Sequence, residues 1–379
     1  MKFIDLFAGI GGFHLALSRF PDAQCVFASE IDEFAAEVYS RNFGIKVHGD
    51  ISLDSVKNAI PEKFDLLCAG FPCQPFSKGG QLKGFEDTRG TLFFDIITIL
   101  HKHRPQYVLL ENVANLVGHD DGNTYRRILE SLKSLGYSVP DVPIILSPHQ
   151  FGIPVLRQRV FIPCRLGSPN LFKTKLNFKP VEGIDACDYF GFCNSDENVI
   201  SKVEHDILKI WDEFYHGIDL RVIGFPIWLS ELNEKVVPYS DPQWKQSIKR
   251  KNRDLYKRNK AFVDRWLLKH NGLVGYSDSQ KKFEWQCGAD CQSVFDGFIQ
   301  FRPSGIRVKR PNYFSTQVAI NHPQIIGKYL RRLSVSEAKK LQSIPDDFVM
   351  HNNGKIALKQ LGNSVNVDVV YNVLKSMGI

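Results

Sequence analysis

An α/β fold with a mostly parallel sheet, helices on both faces and a second, smaller domain is what this chain of 379 residues predicts. Three observations carry the prediction. Up to about residue 165, short apolar runs alternate with helical periodicity, the pattern of a parallel sheet wound on both sides. The runs VLL and DLLCA are apolar apart from Asp65, as strands covered on both faces require. After about residue 166 the alternation stops and the texture turns basic, which marks a different domain.

Taken in order, Lys2–Phe7 reads as the first strand, and a glycine-rich turn leads into a helix over Phe13–Phe20. Strands follow at Gln24–Ser29, Ile45–His48, Phe64–Ala69, Gln106–Glu111 and Val160–Pro163, with helices at Glu33–Asn42, Leu92–Lys102 and Tyr125–Leu135. Residues 166 to 200 are rich in Pro, Gly, Asp and Asn and suit a connector. A helix is expected over Val203–Tyr215, then strands and loops from Phe283 to Ile320. Ser334 and Glu337 form a capping box before a helix at Ala338–Ser343, and Val365–Met377 is an apolar helix. The first domain is therefore expected over 1–165, completed by 351–379, and the second with its hinge over 166–350.

Hydrophobic content of 43% and charged content of 23% exclude a disordered or fibrous chain. No stretch approaches 18 uncharged apolar residues, so no membrane span or membrane partner is expected. Asp5 and several glycines break the apolar start, which argues against a signal peptide. Eight cysteines without regular spacing fit a reducing cytosol, and the expected location is cytoplasmic. The pairs Cys187/Cys193 and Cys287/Cys291 lack zinc-ligand spacing, so no metal is expected. Between Lys245 and Lys269 ten Lys or Arg stand against two Asp, with Trp244, Tyr256, Phe262 and Trp266 interleaved. Such a stripe suits a phosphate backbone, although a solvated helix face has the same composition.

Candidate site residues sit at strand ends. Gly9 and Gly11 lie in the turn DLFAGIGG, where glycine lets the backbone approach a ligand closely. Glu30 ends the second strand, where an acid can grip ribose hydroxyls, and Asp50 ends the third, where it could accept from an adenine amine. No phosphate-binding lysine follows the turn, so a nucleoside-like cofactor without polyphosphate is indicated. Cys73, in GFPCQPFSKG, follows Pro72 on a stiff loop after the fourth strand, a place where an α/β enzyme holds a nucleophile. A lone Cys is more often an inert small hydrophobe. Glu111 in ENV ends the next strand, and Arg157 and Arg159 lie beyond it.

GFPCQPFS, GFEDTRGTLF, ENV, QLGNSV and the glycine turn together resemble the DNA cytosine-5 methyltransferases. The resemblance implies the Rossmann-like fold of S-adenosylmethionine-dependent methyltransferases with a DNA-recognition domain. It implies that Phe7 and Ile31 sandwich the adenine, Glu30 binds the ribose, and Asp50 and Ile51 meet the adenine edge. Leu92 and Pro72 would line that pocket, and Asn363 and Ser364 would close it. Cys73 would add to carbon 6 of a flipped cytosine, Glu111 would serve nitrogen 3 as an acid, and Arg159 with Arg157 would face the carbonyl. The family's Q-x-R-x-R has Val155 in its first place here, which removes a hydrogen-bonding side chain.

The middle domain is expected to form the other wall of a DNA cleft. Arg302, Arg307, Lys309 and Arg310 around Pro303-Ser-Gly305 are candidate base or phosphate contacts. Ser77–Gln81 reads as a lid, with Ser77 a DNA contact and Arg89 a phosphate ligand. The expected partner is double-stranded DNA, in a restriction-modification setting with a cognate endonuclease, and the expected state is a monomer. Two other readings stand beside this one. The same chemistry could act on tRNA, although the Cys-Phe-Thr element of those members is absent, or the chain could be a catalytically dead DNA-binding module.

Overall fold

The computed structural model describes residues 1–72, 92–168, 170, 172, 174–180, 186–190, 198–315 and 324–379. Cys73, Ser77, Arg89 and the expected lid lie outside the described residues, as does part of the 166–200 connector. The chain divides into two units, Met1–Glu182 with Val335–Ile379, and Gly183–Ser334. The expected boundaries were 166 and 350. Residues 335–350 belong instead to the first unit, where their helix packs against a second C-terminal helix.

The first unit is built on β1 (Lys2–Leu6), β2 (Gln24–Ser29), β3 (Val47–His48), β4 (Leu66–Gly70), β5 (Tyr107–Val113), β6 (Tyr137–Ser138), β7 (Ile144–Leu146), β8 (Val155–Leu156) and β9 (Arg159–Leu166). Its helices before the second unit are α1 (Gly12–Leu17), α2 (Glu33–Phe43), α3 (Asp54–Lys57), α4 (Leu92–His103) and α5 (Asn123–Ser134). The main sheet runs β3-β2-β1-β4-β5-β9, with β6 and β7 on the outer edge of β9. The first five strands are parallel, and β9 is antiparallel to β5. The chain moves outward from β1 to β3 and then returns to β4 on the other side of β1. That reversal opens a crevice at the carboxyl ends of β1 and β4.

Strand polarity explains the burial. Phe3 to Leu6 of β1 are all buried, because helices cover both faces. Ile4, Leu6, Leu67, Ala69, Val108 and Leu110 share one core with α4 and α5. Each Ile, Leu or Val among them contributes about 1.5–3 kcal/mol by leaving water. Phe3 points to the other face, edge-on to His14 of α1.

Asp5 shares that second face and is fully buried. Burial, with the Glu30 charge nearby, pushes its carboxyl well above the usual carboxylate range. Folded protein therefore holds a proton that the unfolded chain releases above about pH 4. Stability from this group is fully present below that pH and is lost as pH rises through the folded pKa. An Asp5→Asn variant is expected to melt higher than the parent at neutral and alkaline pH, with the gap closing towards pH 4. Parallel melting curves across pH 4 to 9 would refute this.

The second unit holds α6 (Lys202–Gly217), β10 (Ile227–Trp228), α7 (Gln243–Arg258), α8 (Lys260–Lys269), β11 (Lys282–Gln286), β12 (Phe298–Arg302), β13 (Gly305–Lys309), β14 (Phe314–Ser315), β15 (Ile325–Ile326) and β16 (Arg331–Arg332). Its sheet runs β10-β11-β13-β12-β15-β16. Ser201 and Glu204 start α6 with a capping box. Trp211 of α6 stacks on Phe283 of β11 at 5.0 Å, and Tyr215 on Trp285 at 3.9 Å, which fastens helix to sheet.

Part of the basic stripe of α7 and α8 is paired within the unit. Lys249 lies 2.6 Å from Asp241, Lys245 3.0 Å from Asp241, Arg253 2.8 Å from Glu231 and Lys269 2.9 Å from Glu213. Tyr256 and Trp266 are buried in the core, which leaves Trp244 as the exposed aromatic of the pattern together with half-buried Phe262. Gly305 is tightly enclosed. A Cβ there would lie 2.9 Å from the Lys282 carbonyl oxygen, so this glycine serves a close strand approach inside the unit.

The chain then returns to the first unit with α9 (Val335–Leu341), α10 (Gly354–Asn363) and α11 (Val367–Met377). Two helices were expected here and three form. Asn353 caps α10 by accepting from the Lys355 and Ile356 amides, and Asn366 caps α11 by accepting from Val369. α11 packs on α1, where a Cβ on Gly12 would come 2.6 Å from Val365 and 2.9 Å from Ser364.

Candidate active site

A cleft of about 600 Å³ lies within the first unit at the carboxyl ends of the parallel strands. Phe7, Gly9, Glu30, Ile31, Asp50, Ile51, Pro72 and Leu92 all line it, as expected from the sequence. Glu111, Arg157, Arg159 and Asn363 line it too. Gly11 and Ser364 are placed behind this wall. Gly11 holds φ at 94° at the start of α1, and the Ser364 hydroxyl donates to the Val365 carbonyl.

The glycine turn and Glu30 are fastened to each other. The Gly9 amide donates to Glu30 Oε2 at 2.8 Å, and the Asp32 amide donates to Glu30 Oε1 at 2.8 Å. Each oxygen keeps a second lone pair, so the carboxylate is held still and can accept again. Phe7 has φ of 54°, a conformation unusual for an aromatic residue and typical of functional loops. Asp50 accepts from the Ser52 amide at 2.9 Å, and that bond holds its carboxyl below the usual range. Ile31 is 71% exposed, so its side chain is not committed to the core. Ile51, by contrast, is a core residue that reaches the cleft with one edge.

The antiparallel β9 creates the second half of the site. Glu111 pairs with Phe161 and Val113 with Arg159, so the amino end of β9 meets the carboxyl end of β5. Glu111 and Arg159 then share a face as diagonal neighbours. Arg159 Nε lies 3.0 Å from Glu111 Oε1. Burial pushes the Glu111 carboxyl up, while Arg159 and Arg157 pull it back. The result is a carboxyl group able to carry a proton beside a fixed positive charge.

Arg157 is buried and supports this pair from behind. Its amide donates to Ser147 Oγ at 2.9 Å, and its Nη2 donates to the Ser364 carbonyl at 2.8 Å. Val155, in the place of the family's glutamine, is buried with its amide donating to the Ile153 carbonyl. Backbone bonding therefore maintains the hairpin without a polar side chain at that position.

Sequence reasoning missed Asn112. Its Nδ2 donates to the Phe71 carbonyl at 2.8 Å, and its Oδ1 accepts from the Val113 amide at 2.8 Å. This buried carboxamide ties the end of β5 to the end of β4, two residues before Cys73. It also missed Lys359 and Gln360 of α10, which line the cleft beside Ile356. Lys359 Nζ lies 3.4 Å from Asp32. The available signal was the helical spacing of 356, 359, 360 and 363 behind an Asn cap.

The candidate DNA contacts lie in the second unit, on and beside its central hairpin. Arg302, Arg307 and Lys309 share one face of β12 and β13. Arg307 Nε lies 2.7 Å from Glu284 Oε2, and Arg302 lies 3.9 Å from the same oxygen. Lys309 donates to Ser315 at 3.1 Å. Arg310 is outside this face, 2.8 Å from Asp290 and bonded to the Cys287 carbonyl.

Among the described residues, no helix is long and apolar enough to cross a membrane. The family described as C-5 cytosine-specific DNA methylase matches residues 1–378. The chain is 32% identical to the type II methyltransferase M.AluI of Cellulosimicrobium cellulans, over 99% of this chain and 91% of that protein. It is 30% identical to the type II methyltransferase M.HhaI of Haemophilus parahaemolyticus, over 100% of this chain and 94% of that one. In fold it resembles the S. pombe Dnmt2 methyltransferase, with a TM-score of 0.53 at 19% identity, covering 100% and 98% of the two chains.

Proposed function

From the premise that the chain belongs to the C-5 cytosine-specific DNA methylases, we propose that it methylates a flipped-out cytosine in duplex DNA through a covalent bond from Cys73. The observation that carries this reading is the Glu111–Arg159 pair at 3.0 Å, set in the wall of a cleft whose other end is the Gly9–Glu30 clamp. The relatives M.AluI and M.HhaI are type II methyltransferases, which supports a role as the modification partner of a restriction endonuclease.

The donor set supports S-adenosylmethionine as cofactor. Glu30 offers fixed acceptors for ribose hydroxyls, Asp50 an ionised acceptor for an adenine amine, and Phe7 and Ile31 apolar faces for the ring. Gln360 adds a buried carboxamide with no partner among the described residues. When bound, this cofactor supplies an electrophilic methyl group on a sulfonium.

Carbon 5 of cytosine is a poor nucleophile until another atom adds at carbon 6. The Cys73 thiolate forms the sulfur–carbon bond there, and the ring becomes enamine-like at carbon 5. Glu111 donates its proton towards nitrogen 3 as charge collects on the ring. The Arg159 guanidinium, held by Glu111 and backed by Arg157, stabilises the carbonyl oxygen. Once carbon 5 carries the methyl group that the cofactor would supply, loss of its proton to water restores the double bond as the sulfur–carbon bond breaks and the Cys73 thiolate leaves. Flipping the base out of the duplex costs a few kcal/mol, which contacts from the second unit are proposed to offset. Arg307 is the best-placed reader, because Glu284 fixes its Nε while its terminal nitrogens have no hydrogen-bond partner among the described residues.

Methyl transfer from tritiated cofactor to duplex DNA, with tRNA as the alternative acceptor, tests the reaction. Bisulfite sequencing of plasmid from expressing cells then gives the target. Incorporation into tRNA alone would overturn the DNA reading. Glu30→Ala is expected to weaken binding of S-adenosylhomocysteine about tenfold or more, with little change in DNA affinity. Calorimetry showing equal affinity in variant and parent would remove Glu30 from the site.

A further inference from the structure

Gln360 lies one turn before Asn363 on the face of α10 that lines the cleft. Its side chain is 6% exposed, yet neither the carboxamide nitrogen nor the oxygen has a hydrogen-bond partner among the described residues. Buried amides are nearly always satisfied, and one left open on both atoms at a cleft wall marks a place for a ligand. The ligand must offer an acceptor to the nitrogen and a donor to the oxygen.

The other polar groups of the cleft narrow the choice. Glu30 and Asp50 supply acceptors suited to the hydroxyls and amine of a nucleoside. Lys359 is paired with Asp32, and Arg159 with Glu111, so neither is an uncommitted charge. An amino-acid end carries one carboxylate and one ammonium. A neutral amide satisfies both signs at once, without the repulsion that a charged side chain would add against one of them.

We propose that Gln360 binds the zwitterionic amino-acid end of the cofactor, its nitrogen donating to the α-carboxylate and its oxygen accepting from the α-ammonium. This deepens the cofactor assignment above and rests on it. Gln360 acts here as a binding residue and takes no part in the chemical step.

The test compares two ligands by calorimetry on the full chain. S-adenosylhomocysteine carries the amino-acid end, and 5′-methylthioadenosine lacks it. Gln360→Met keeps the volume and removes the amide, and Gln360→Glu keeps the shape and adds a negative charge. Both variants are expected to lose about tenfold to a hundredfold in affinity for S-adenosylhomocysteine and to stay within twofold for methylthioadenosine. Thermal melts of both variants confirm that they are folded before titration. Equal losses for the two ligands, or no loss in either variant, would overturn the assignment of Gln360 alone. A parent that binds neither ligand would overturn the cofactor reading itself, and this inference with it.

Discussion

A Cys73→Ser variant is expected to form no SDS-resistant adduct with duplex DNA that carries 5-fluorocytosine at the target, where the parent protein does so in a cofactor-dependent way. The parent should stall because fluorine at carbon 5 cannot leave as a cation, which blocks elimination of the sulfur. A serine hydroxyl is scarcely ionised at neutral pH and adds poorly, so methyl transfer should fall by about three orders of magnitude or more. Cys68 supplies the control. It is fully buried in β4, and burial pushes its thiol well up. A Cys68→Ala variant that remains folded should still trap DNA. An adduct that survives in Cys73→Ser, or that forms equally without cofactor, would overturn either the nucleophile or the order of steps.

Glu111→Gln is expected to lower methyl transfer by about a hundredfold to ten-thousandfold while leaving affinity for S-adenosylhomocysteine nearly unchanged. The amide can donate a hydrogen bond but cannot release a proton. Burial raises the Glu111 pKa, so in the parent the protonated form persists above the ordinary carboxylate range. The step that uses this proton should weaken as pH rises through the raised pKa, and that limb of the pH profile should vanish in the variant. A single-turnover profile that keeps the limb in Glu111→Gln would assign the acid elsewhere. Because Arg159 Nε lies 3.0 Å from Glu111, the variant also leaves a half-buried guanidinium without its partner carboxyl. Melting curves separate that loss of stability from the catalytic one.

The sheet was legible because its central strands carry apolar runs, and the residues at their ends were legible because strand ends point into one crevice. Glu30, Asp50 and Glu111 were found in this way. What escaped depends on pairings between distant segments. Glu231 and Asp241 pair with Lys245, Lys249 and Arg253 of α7, yet in the sequence they stand before it and outside the basic run. The need for glycine at 305 comes from Lys282, which fills the space beside it. α10 was missed because its apolar face is narrow, and Gln360 with it. Asn112 could not be read as a tie between β5 and the Phe71 carbonyl without the register that sets the two strand ends side by side.

The division of the first unit by Gly183–Ser334 has a consequence for biosynthesis. When residue 182 leaves the ribosome, the sheet is present but α9 to α11 are not, and the face of α1 that receives α11 is bare. At translation speeds of about 5–20 residues per second, those helices follow about 10 to 40 s later. Nascent chains therefore pass through a period in which the cleft lacks the wall that carries Gln360 and Asn363. A ribosome-arrested chain stopped after residue 334 should recruit hydrophobic-surface chaperones and bind no cofactor, and release of the remaining residues should reverse both.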